Sequence, residues 1–237
     1  YETLYGQSPE GRRGSDQTFA FRTSLAMRMR LKPVELLVEG LDSRQEKADD
    51  GTPINTTIVN AVELLQGYAA LDYDDVLDIG DQFRVQVGRQ TLDIGSRRLM
   101  ARNRYRNTIN SFTGVNAFWR GTEGETVRAF WFLPVERQPT DRASLLNNEI
   151  MFDEEHIEQQ FFGVVVNTPE FAGRTSAEFS FYGLMERDAP DFATRNRQIF
   201  TAHTQFLRKK AKEELDFDFE GAFQFGQSRA SRRGNDR

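Results

Sequence analysis

The chain has 237 residues, which is enough for one large β domain or two small ones. Its formal net charge of −5 gives no overall attraction to nucleic acid or to anionic lipid. The absence of cysteine excludes disulfides and thiolate–metal sites, and the histidines are His156 and His203 alone. No apolar run approaches the ~18 residues of a membrane helix. We therefore expect no metal, no cofactor and no transmembrane helix.

Apolar and polar residues alternate along much of the chain, which is the pattern of half-exposed β-strands. In residues 19–31 the odd positions are mostly Phe, Leu and Met, whereas arginines occupy several even positions. Residues 215–225 place phenylalanines on one face and acidic residues on the other. No helical stripe of useful length is found. With weaker stretches included, the alternation predicts about eleven strands, over residues 1–5, 19–31, 34–41, 62–73, 82–90, 112–120, 126–136, 160–167, 176–186, 197–207 and 215–225.

The connections between these strands alternate between short and long. Short turns are predicted at residues 32–33, 121–124, 168–174 and 208–213, and long polar links at 42–61, 91–111 and 137–159. Outer-membrane barrels have short periplasmic turns and long external loops. The pattern therefore favours an all-β fold, a transmembrane antiparallel up-and-down β-barrel.

The strand count bears on domain organisation. Bacterial single-chain barrels normally have an even number of strands, because a barrel must close. We expect residues 1–237 to be a fragment of one outer-membrane barrel domain, with the signal peptide and the closing C-terminal strands outside this sequence. Residues 228–237 are expected to belong to an outer loop.

One segment departs from the acidic composition of the chain. Residues 84–106 contain a single acid, Asp93, and seven arginines, namely Arg84, Arg89, Arg97, Arg98, Arg102, Arg104 and Arg106. Arginine stays charged and grips carboxylates or phosphates through two hydrogen bonds. Such a run of arginine without lysine indicates a site for anions.

The same segment carries a resemblance to a known family. Residues 87–115 combine a strand ending in Gly88-Arg89-Gln90, a turn at 95–98, an arginine-rich stretch at 102–106 and Phe112-Thr113-Gly114 opening the next strand. This succession resembles the alginate-export family of bacterial outer-membrane porins, and weaker likeness spans the whole chain. The resemblance implies a barrel of roughly eighteen strands. It also implies an arginine-lined lumen that selects an anionic uronate polysaccharide.

We expect the arginine run to fold into the lumen as a constriction, because rings of arginine select anions in pores. A solvated external loop, contact with lipopolysaccharide and a nucleic-acid patch are the alternatives. If the apolar face of strand 19–31 meets lipid, its arginines line the lumen, and Arg128 is a weaker candidate of the same kind. The predicted anion-binding residues are Arg22, Arg28, Arg30, Arg84, Arg89, Arg97, Arg98, Arg102, Arg104, Arg106 and Arg128.

The other chemically active residues favour structural roles. Acids on the polar strand faces are expected to pair with lumen arginines rather than to form glycosidase carboxylates, namely Glu35, Glu39, Asp216, Asp218 and Glu220. Ser176, Ser180 and His203 suggest a hydrolase, but no Gly-x-Ser-x-Gly motif exists. Aspartates between residues 72 and 81 lack the ligand spacing of a calcium site. Trp119 and Trp131 belong either to an interfacial aromatic girdle or to a packed core.

These observations predict a non-enzymatic porin in the outer membrane of a Gram-negative bacterium. Its expected partners are an anionic polysaccharide or a small anion, outer-membrane lipid and periplasmic export machinery, with no nucleic acid. The main alternative is a soluble or surface-attached all-β enzyme that acts on acidic polysaccharide. A structural barrel without selective transport is a third interpretation.

Overall fold

The computed structural model describes residues 2–4, 16–48, 52–102 and 105–230, with the backbone alone for 2–4, 16 and 17. Within these ranges the chain forms strands and one short helix, α1 (Arg142–Leu146). The strands are β1 (Glu2–Leu4), β2 (Asp16–Leu31), β3 (Val34–Glu46), β4 (Asn60–Asp74), β5 (Gln82–Gln90), β6 (Phe112–Arg120), β7 (Thr126–Glu136), β8 (Glu154–Glu155), β9 (Gln159–Ala172), β10 (Thr175–Glu186), β11 (Gln198–Arg208) and β12 (Phe217–Gln227).

All strands lie in one antiparallel sheet in which each strand pairs with its neighbours in the chain. The short strand β8 stands outside this order and pairs with β7. Strands β1 and β12 are the two edges of the described sheet, which is therefore open. An all-β, up-and-down antiparallel sheet confirms the predicted fold class and is consistent with a fragment of a barrel.

Each of the eleven predicted strands overlaps a strand of this order. The short turn predicted at 168–174 is wrong in extent, because β9 runs on to Ala172 and leaves residues 173–174 as the turn. The long link predicted at 42–61 shrinks to 47–59, because β3 and β4 extend into it. Helix α1 and strand β8 were not predicted, since neither is long enough to show a period. Of the predicted outer loop at 228–237, residues 231–237 lie outside the described residues.

The alternation of connection lengths is confirmed. Connections 32–33, 75–81, 121–125, 173–174 and 209–216 join the strands at one end of the sheet, which we call the short-turn end. Connections 47–59, 91–111, 137–158 and 187–197 lie at the opposite end. Three of these long connections fold back over one face of the sheet, namely 47–59, 91–111 and 137–158.

The two faces of the sheet differ in burial and in chemistry. In β3 the side chains of Glu35, Leu37 and Glu39 are buried, whereas those of Val34 and Leu36 are exposed. We call the first face, beneath the long connections, the covered face, and the second the bare face. The bare face is apolar, and Leu25 on β2 is 80% exposed. A contiguous apolar surface of this extent requires a non-aqueous neighbour.

Two buried apolar clusters of the described residues lie where a long connection meets the sheet, and a third joins two long connections. Leu92, Ile94 and Met100 of connection 91–111 pack against inward-facing Phe130 and Phe132 of β7. A second cluster joins Ile109 of the same connection to strands β3 and β4. In a third, Leu145 of α1 packs against the 47–59 connection. The long connections are therefore parts of the packed structure.

Helix α1 shows how connection 137–158 acquires a defined shape. The side chain of Asp141 accepts a hydrogen bond from the backbone N–H of Ser144 at 3.0 Å, as an N-cap does. The hydrogen bond from this backbone N–H lowers the pKa of Asp141. Among the described residues, no helix is long and apolar enough to cross a membrane.

We expect β2 to present its two faces to different media. Cysteines placed singly at Phe21, Leu25 or Met27 should react with lipid-soluble probes in the membrane-inserted protein, because these side chains lie on the bare face. Cysteines at Arg22, Arg28 or Arg30, on the opposite face, should react with small water-soluble reagents. Labelling rates in outer-membrane vesicles measure the difference. Equal aqueous labelling of both sets would contradict a lipid-facing surface.

Candidate functional site

The arginine-rich connection at residues 91–111, hereafter the arginine loop, crosses the covered face of the sheet. Its apolar side chains form a buried cluster with aromatic residues of β7, β9 and β10, and Phe132 in this cluster is fully buried. Its polar side chains contact β3 on one side and β12 on the other. This placement agrees with a run folded over one face of the sheet and not with a loop free in external solvent, while the predicted constriction of a lumen stays a prediction.

A tight turn at residues 94–100 gives the loop its shape. The backbone N–H of Ile94 donates to the carbonyl of Met100 at 3.1 Å, and that of Arg97 donates to the carbonyl of Ile94 at 2.9 Å. Gly95 has a φ of 53° in the left-handed region that favours glycine. A Cβ at Gly95 would lie 2.2 Å from Oε1 of Glu178. Glycine at this position therefore permits both the turn and its close approach to β10.

Arg102 anchors the loop to β3. Its guanidinium donates to both carboxylate oxygens of Glu39, at 3.0 and 2.5 Å, and to Thr91 Oγ1 at 3.2 Å. Hydrogen bonding to Glu39 raises the pKa of Arg102 above its ordinary value. The amide of Gln66 on β4 donates to the same carboxylate and its oxygen accepts from the backbone N–H of Thr91. Gln66 and Glu39 therefore hold Thr91 and Arg102, the residues that flank the turn, next to each other on the sheet.

A second anchor joins the loop to β12. Arg98 forms an ion pair with Glu220 at 2.8 Å, and Ser96 Oγ donates to the other oxygen of that carboxylate at 2.7 Å. The Arg98 side chain is 69% exposed, so much of it stays accessible despite this ion pair. The exposed flanking arginine, Arg97, lies 3.7 Å from Asp93 of the same loop. The turn thus presents two accessible cations on the covered face.

Ser180, His203 and Glu220 form a hydrogen-bonded chain at this second anchor. His203 Nδ1 lies 2.9 Å from Ser180 Oγ, and its Nε2 lies 2.9 Å from Glu220 Oε1. Ser180 and His203 are direct cross-strand neighbours on β10 and β11, and both are buried. Because Glu220 also binds Ser96 and Arg98, the chain serves to tie the loop to the wall. The structural role expected for His203 agrees with these contacts.

The second half of the arginine loop closes against the ends of β2 and β3. The Asn107 side-chain amide donates to the backbone carbonyls of Phe21 and Ile58 at 2.9 and 2.7 Å. Arg22 Nη1 donates to the backbone carbonyl of Arg106 at 3.1 Å. The Arg106 side chain is exposed. The Arg22 side chain therefore lies beside the backbone of Arg106, and an anion-binding role of both residues stays a prediction.

Three predicted arginines meet at one carboxylate near the short-turn end. Glu35, which is 1% exposed, accepts from Arg30 Nε at 2.8 Å and from Arg84 Nη2 at 2.7 Å, while Arg28 Nε lies 4.0 Å away. Arg84 also binds Asp72 on the neighbouring strand at 2.8 Å. Arg28 and Arg30 keep more than half of their side-chain surface exposed. This group forms a second basic patch on the covered face.

Arg89 and Arg128 occupy more enclosed positions. Arg89 donates to Glu155 at 2.6 Å and to Asp153 at 3.5 Å, both in connection 137–158. Burial of Asp153 raises its pKa. Arg128 donates to the Asn116 side chain at 3.2 Å and lies 4.9 Å above the Phe118 ring. These two arginines hold parts of the wall together, and only 13% of the Arg89 side chain is exposed.

Ten of the eleven predicted arginines fall on described residues, and Arg104 lies outside them. The expected pairing of acids with arginines holds for Glu35, Glu39 and Glu220. It is wrong for Asp218, whose carboxylate accepts from Gln205 because no arginine side chain stands opposite it on β11. Asp216 is exposed and lies in the connection before β12, so it belongs to no strand face.

Other predicted residues take structural positions. Trp119 donates its indole N–H to Asp81 at 2.6 Å, which fastens the 75–81 turn, and Trp131 is exposed on the bare face. Membership of an aromatic girdle stays a prediction for both. His156 stacks on Phe192 with ring centroids 3.7 Å apart. Among the described residues, no group of three acidic or histidine side chains is arranged to hold a metal.

Sequence reasoning did not find Gln66, Glu178 or Arg197. Gln66 and Glu178 contact the arginine loop across the sheet, and Arg197 pairs with Glu186 at the loop end of β10. Their importance depends on which side chains lie opposite one another after folding. The local sequence does not indicate which side chains will lie opposite one another, because isolated polar residues alternate along every strand.

An up-and-down antiparallel sheet with one bare apolar face, one charged face and a loop folded over that charged face defines the class of outer-membrane β-barrel transport proteins. The family model described as alginate export matches residues 9–236, and the chain belongs to that family. It is a family of outer-membrane transport porins and not of enzymes, which places the chain in the outer membrane. No curated protein and no solved structure matches the chain.

The Arg102–Glu39 pair should contribute measurably to stability. Arg102→Gln and Glu39→Gln should each lower the free energy of unfolding by about 1.5–3 kcal/mol, because each leaves a largely buried charge without its partner. A double-mutant cycle, measured by denaturant unfolding of the membrane-inserted protein, isolates their coupling. The control Arg97→Gln, at an exposed side chain, should change stability by less than about 0.5 kcal/mol. Additive effects of the two single variants would show that the pair does not anchor the loop.

Proposed function

We propose that the covered face is the wall of an anion-selective pore through which an anionic polysaccharide of the uronate type passes. The observation that carries the proposal is the arginine loop, which spans the covered face from β3 to β12 and presents Arg97 and Arg98 there. A loop in that position narrows whatever passage the sheet encloses. Passage through such a constriction is sensitive to the sign of the passing charge.

The arrangement of charges supports selection of anions. Three carboxylates on the covered face, those of Glu35, Glu39 and Glu220, each pair with arginine. Glu35 is shared among Arg28, Arg30 and Arg84. Paired acids orient the guanidinium groups, while the unmatched arginine surface leaves a positive field. Low-dielectric walls focus that field, and screening by salt is weakest in a narrow space.

Two basic patches lie along the same face, at the arginine loop and at the short-turn end. A polymer with a carboxylate on each sugar can contact both patches in turn, because arginine binds carboxylates through paired hydrogen bonds. Several weak contacts let the polymer enter and then move on, whereas one tight site would trap it. A chain of uronate units therefore fits this wall better than a single small anion does.

Removing exposed arginine charge should weaken anion preference. In the triple variant Arg28→Gln, Arg97→Gln and Arg98→Gln, the reversal potential of planar bilayers under a potassium chloride gradient should shift toward cation permeability. Half-blocking concentrations of uronate oligomers should rise. Glutamine is chosen because it removes charge without setting a new negative charge beside Glu35 or Glu220.

The matched control removes the same charge elsewhere in the complete gene product. The triple variant Lys209→Gln, Lys210→Gln and Lys212→Gln alters the exposed 209–216 connection at the short-turn end. These lysines stand off the covered face, so the reversal potential should stay close to that of the unaltered protein. Equal shifts of the reversal potential in the two triple variants would argue against a pore wall at the arginine loop. An unchanged reversal potential in both variants would argue against it as well.

A further inference from the structure

A cavity of 290 Å³ lies between the arginine loop and the wall formed by β9 to β12. Its lining includes Leu99 of the loop and the apolar side chains of Phe161, Tyr182, Leu184 and Ile199. The cavity belongs to neither of the two basic patches described above. Its volume is close to the lower end of the range for small-molecule pockets, about 300–1,000 Å³. It is therefore suited to a group of the size of one or two sugar rings.

Two aromatic side chains, Phe161 and Tyr182, form the floor of the cavity. The rings of Phe161 and Tyr182 are nearly parallel, with an interplanar angle of 10° and centroids 6.1 Å apart. Both side chains lie on the covered face of neighbouring strands and pack with the buried cluster beneath the arginine loop. Aromatic side chains suit the C–H face of a pyranose ring, which is apolar although the ring's edge carries hydroxyl groups.

The rim of the cavity is polar. Gln224 Nε2 donates to Thr201 Oγ1 at 3.0 Å, so the amide oxygen of Gln224 and the second amide hydrogen remain for other partners. Arg197 enters the rim while Glu186 holds its Nε at 2.8 Å. Hydrogen bonding to Glu186 raises the pKa of Arg197. Arg98, next to Leu99 in the chain, adds a second exposed cation at the loop side.

Three features of the cavity together match one chemical class of ligand. They are its apolar floor, its hydroxyl-binding rim and the neighbouring cations. A uronate ring has a C–H face, hydroxyl groups at its edge and one carboxylate. An uncharged sugar would leave the arginines unused, and a small inorganic anion would leave the aromatic floor unused. The charge and shape of the cavity therefore favour a carboxylated pyranose over both.

We infer that this cavity, which we call the stacking subsite, holds one hexuronate unit of the passing polymer against Phe161 and Tyr182. The inference rests on the proposed function and adds a position at which the polymer pauses. Stacking supplies attraction that salt does not screen, whereas the arginine patches supply attraction that salt weakens. The two together hold the polymer at a sequence of weak sites.

The test uses two adjacent phenylalanines with opposite orientation. Phe161→Leu removes an aromatic ring from the stacking subsite, and the matched control Phe162→Leu removes one from the bare face, where that ring lies over Gly183. In the complete gene product in planar bilayers, Phe161→Leu should raise the half-blocking concentration of uronate oligomers about two- to tenfold. The reversal potential should not move, because no charge changes.

If the Phe161→Leu protein does not insert into the bilayer, a second variant still tests the stacking subsite. Leu99→Ala trims the loop side of the subsite at a half-exposed position and should also raise the half-blocking concentration. Equal weakening in Phe161→Leu and Phe162→Leu, or no weakening in Phe161→Leu and Leu99→Ala, would overturn the subsite.

The outcome for the unaltered protein separates the two proposals. An anion-selective pore that uronate oligomers fail to block would overturn the stacking subsite and leave anion selection in place. A pore without anion preference would overturn the proposed function itself. Block by uncharged oligosaccharides of the same length at the same concentration would show that the subsite recognises sugar rings without regard to the carboxylate, which also contradicts the inference.

Discussion

A buried carboxylate is stable only with a partner of opposite charge or with hydrogen-bond donors, and the covered face of this sheet carries several. Glu35 and Glu39 lie on β3 and Glu220 lies on β12, at the other side of the sheet, and each pairs with arginine. For two of these three carboxylates, the arginine comes from the arginine loop: Arg102 for Glu39 and Arg98 for Glu220. The requirement to pair buried charge thus fixes where the loop lies and how it crosses the face.

Hydrophobic packing and charge pairing act on the loop in the same direction. Leu92, Ile94 and Met100 bury apolar surface against aromatic side chains of the wall, while the flanking arginines bind the wall carboxylates. Packing makes the loop compact, and ion pairs make its position specific, because a hydrophobic contact alone tolerates many registers. The exposed side chains of Arg97 and Arg98 are then held on the covered face of the sheet.

The bare face imposes a different constraint. Its exposed apolar side chains need a lipid environment, so the charged face is directed to the interior of the transport protein. The membrane thus decides which face becomes the pore wall, and the alternation of side chains along each strand decides which residues stand on it. Family membership in alginate export agrees with this division of the sheet.

The sequence by itself determined the strands, their alternating connections and the opposite faces of β2, because a period of two and turn positions are local properties. It also marked the arginine run by composition. Only the tertiary structure decided that Arg102 meets Glu39, that Gly95 approaches Glu178, and that Asp218 meets Gln205 instead of an arginine. Those contacts join residues distant in the chain, and they depend on strand register and on loop packing, which no local pattern encodes.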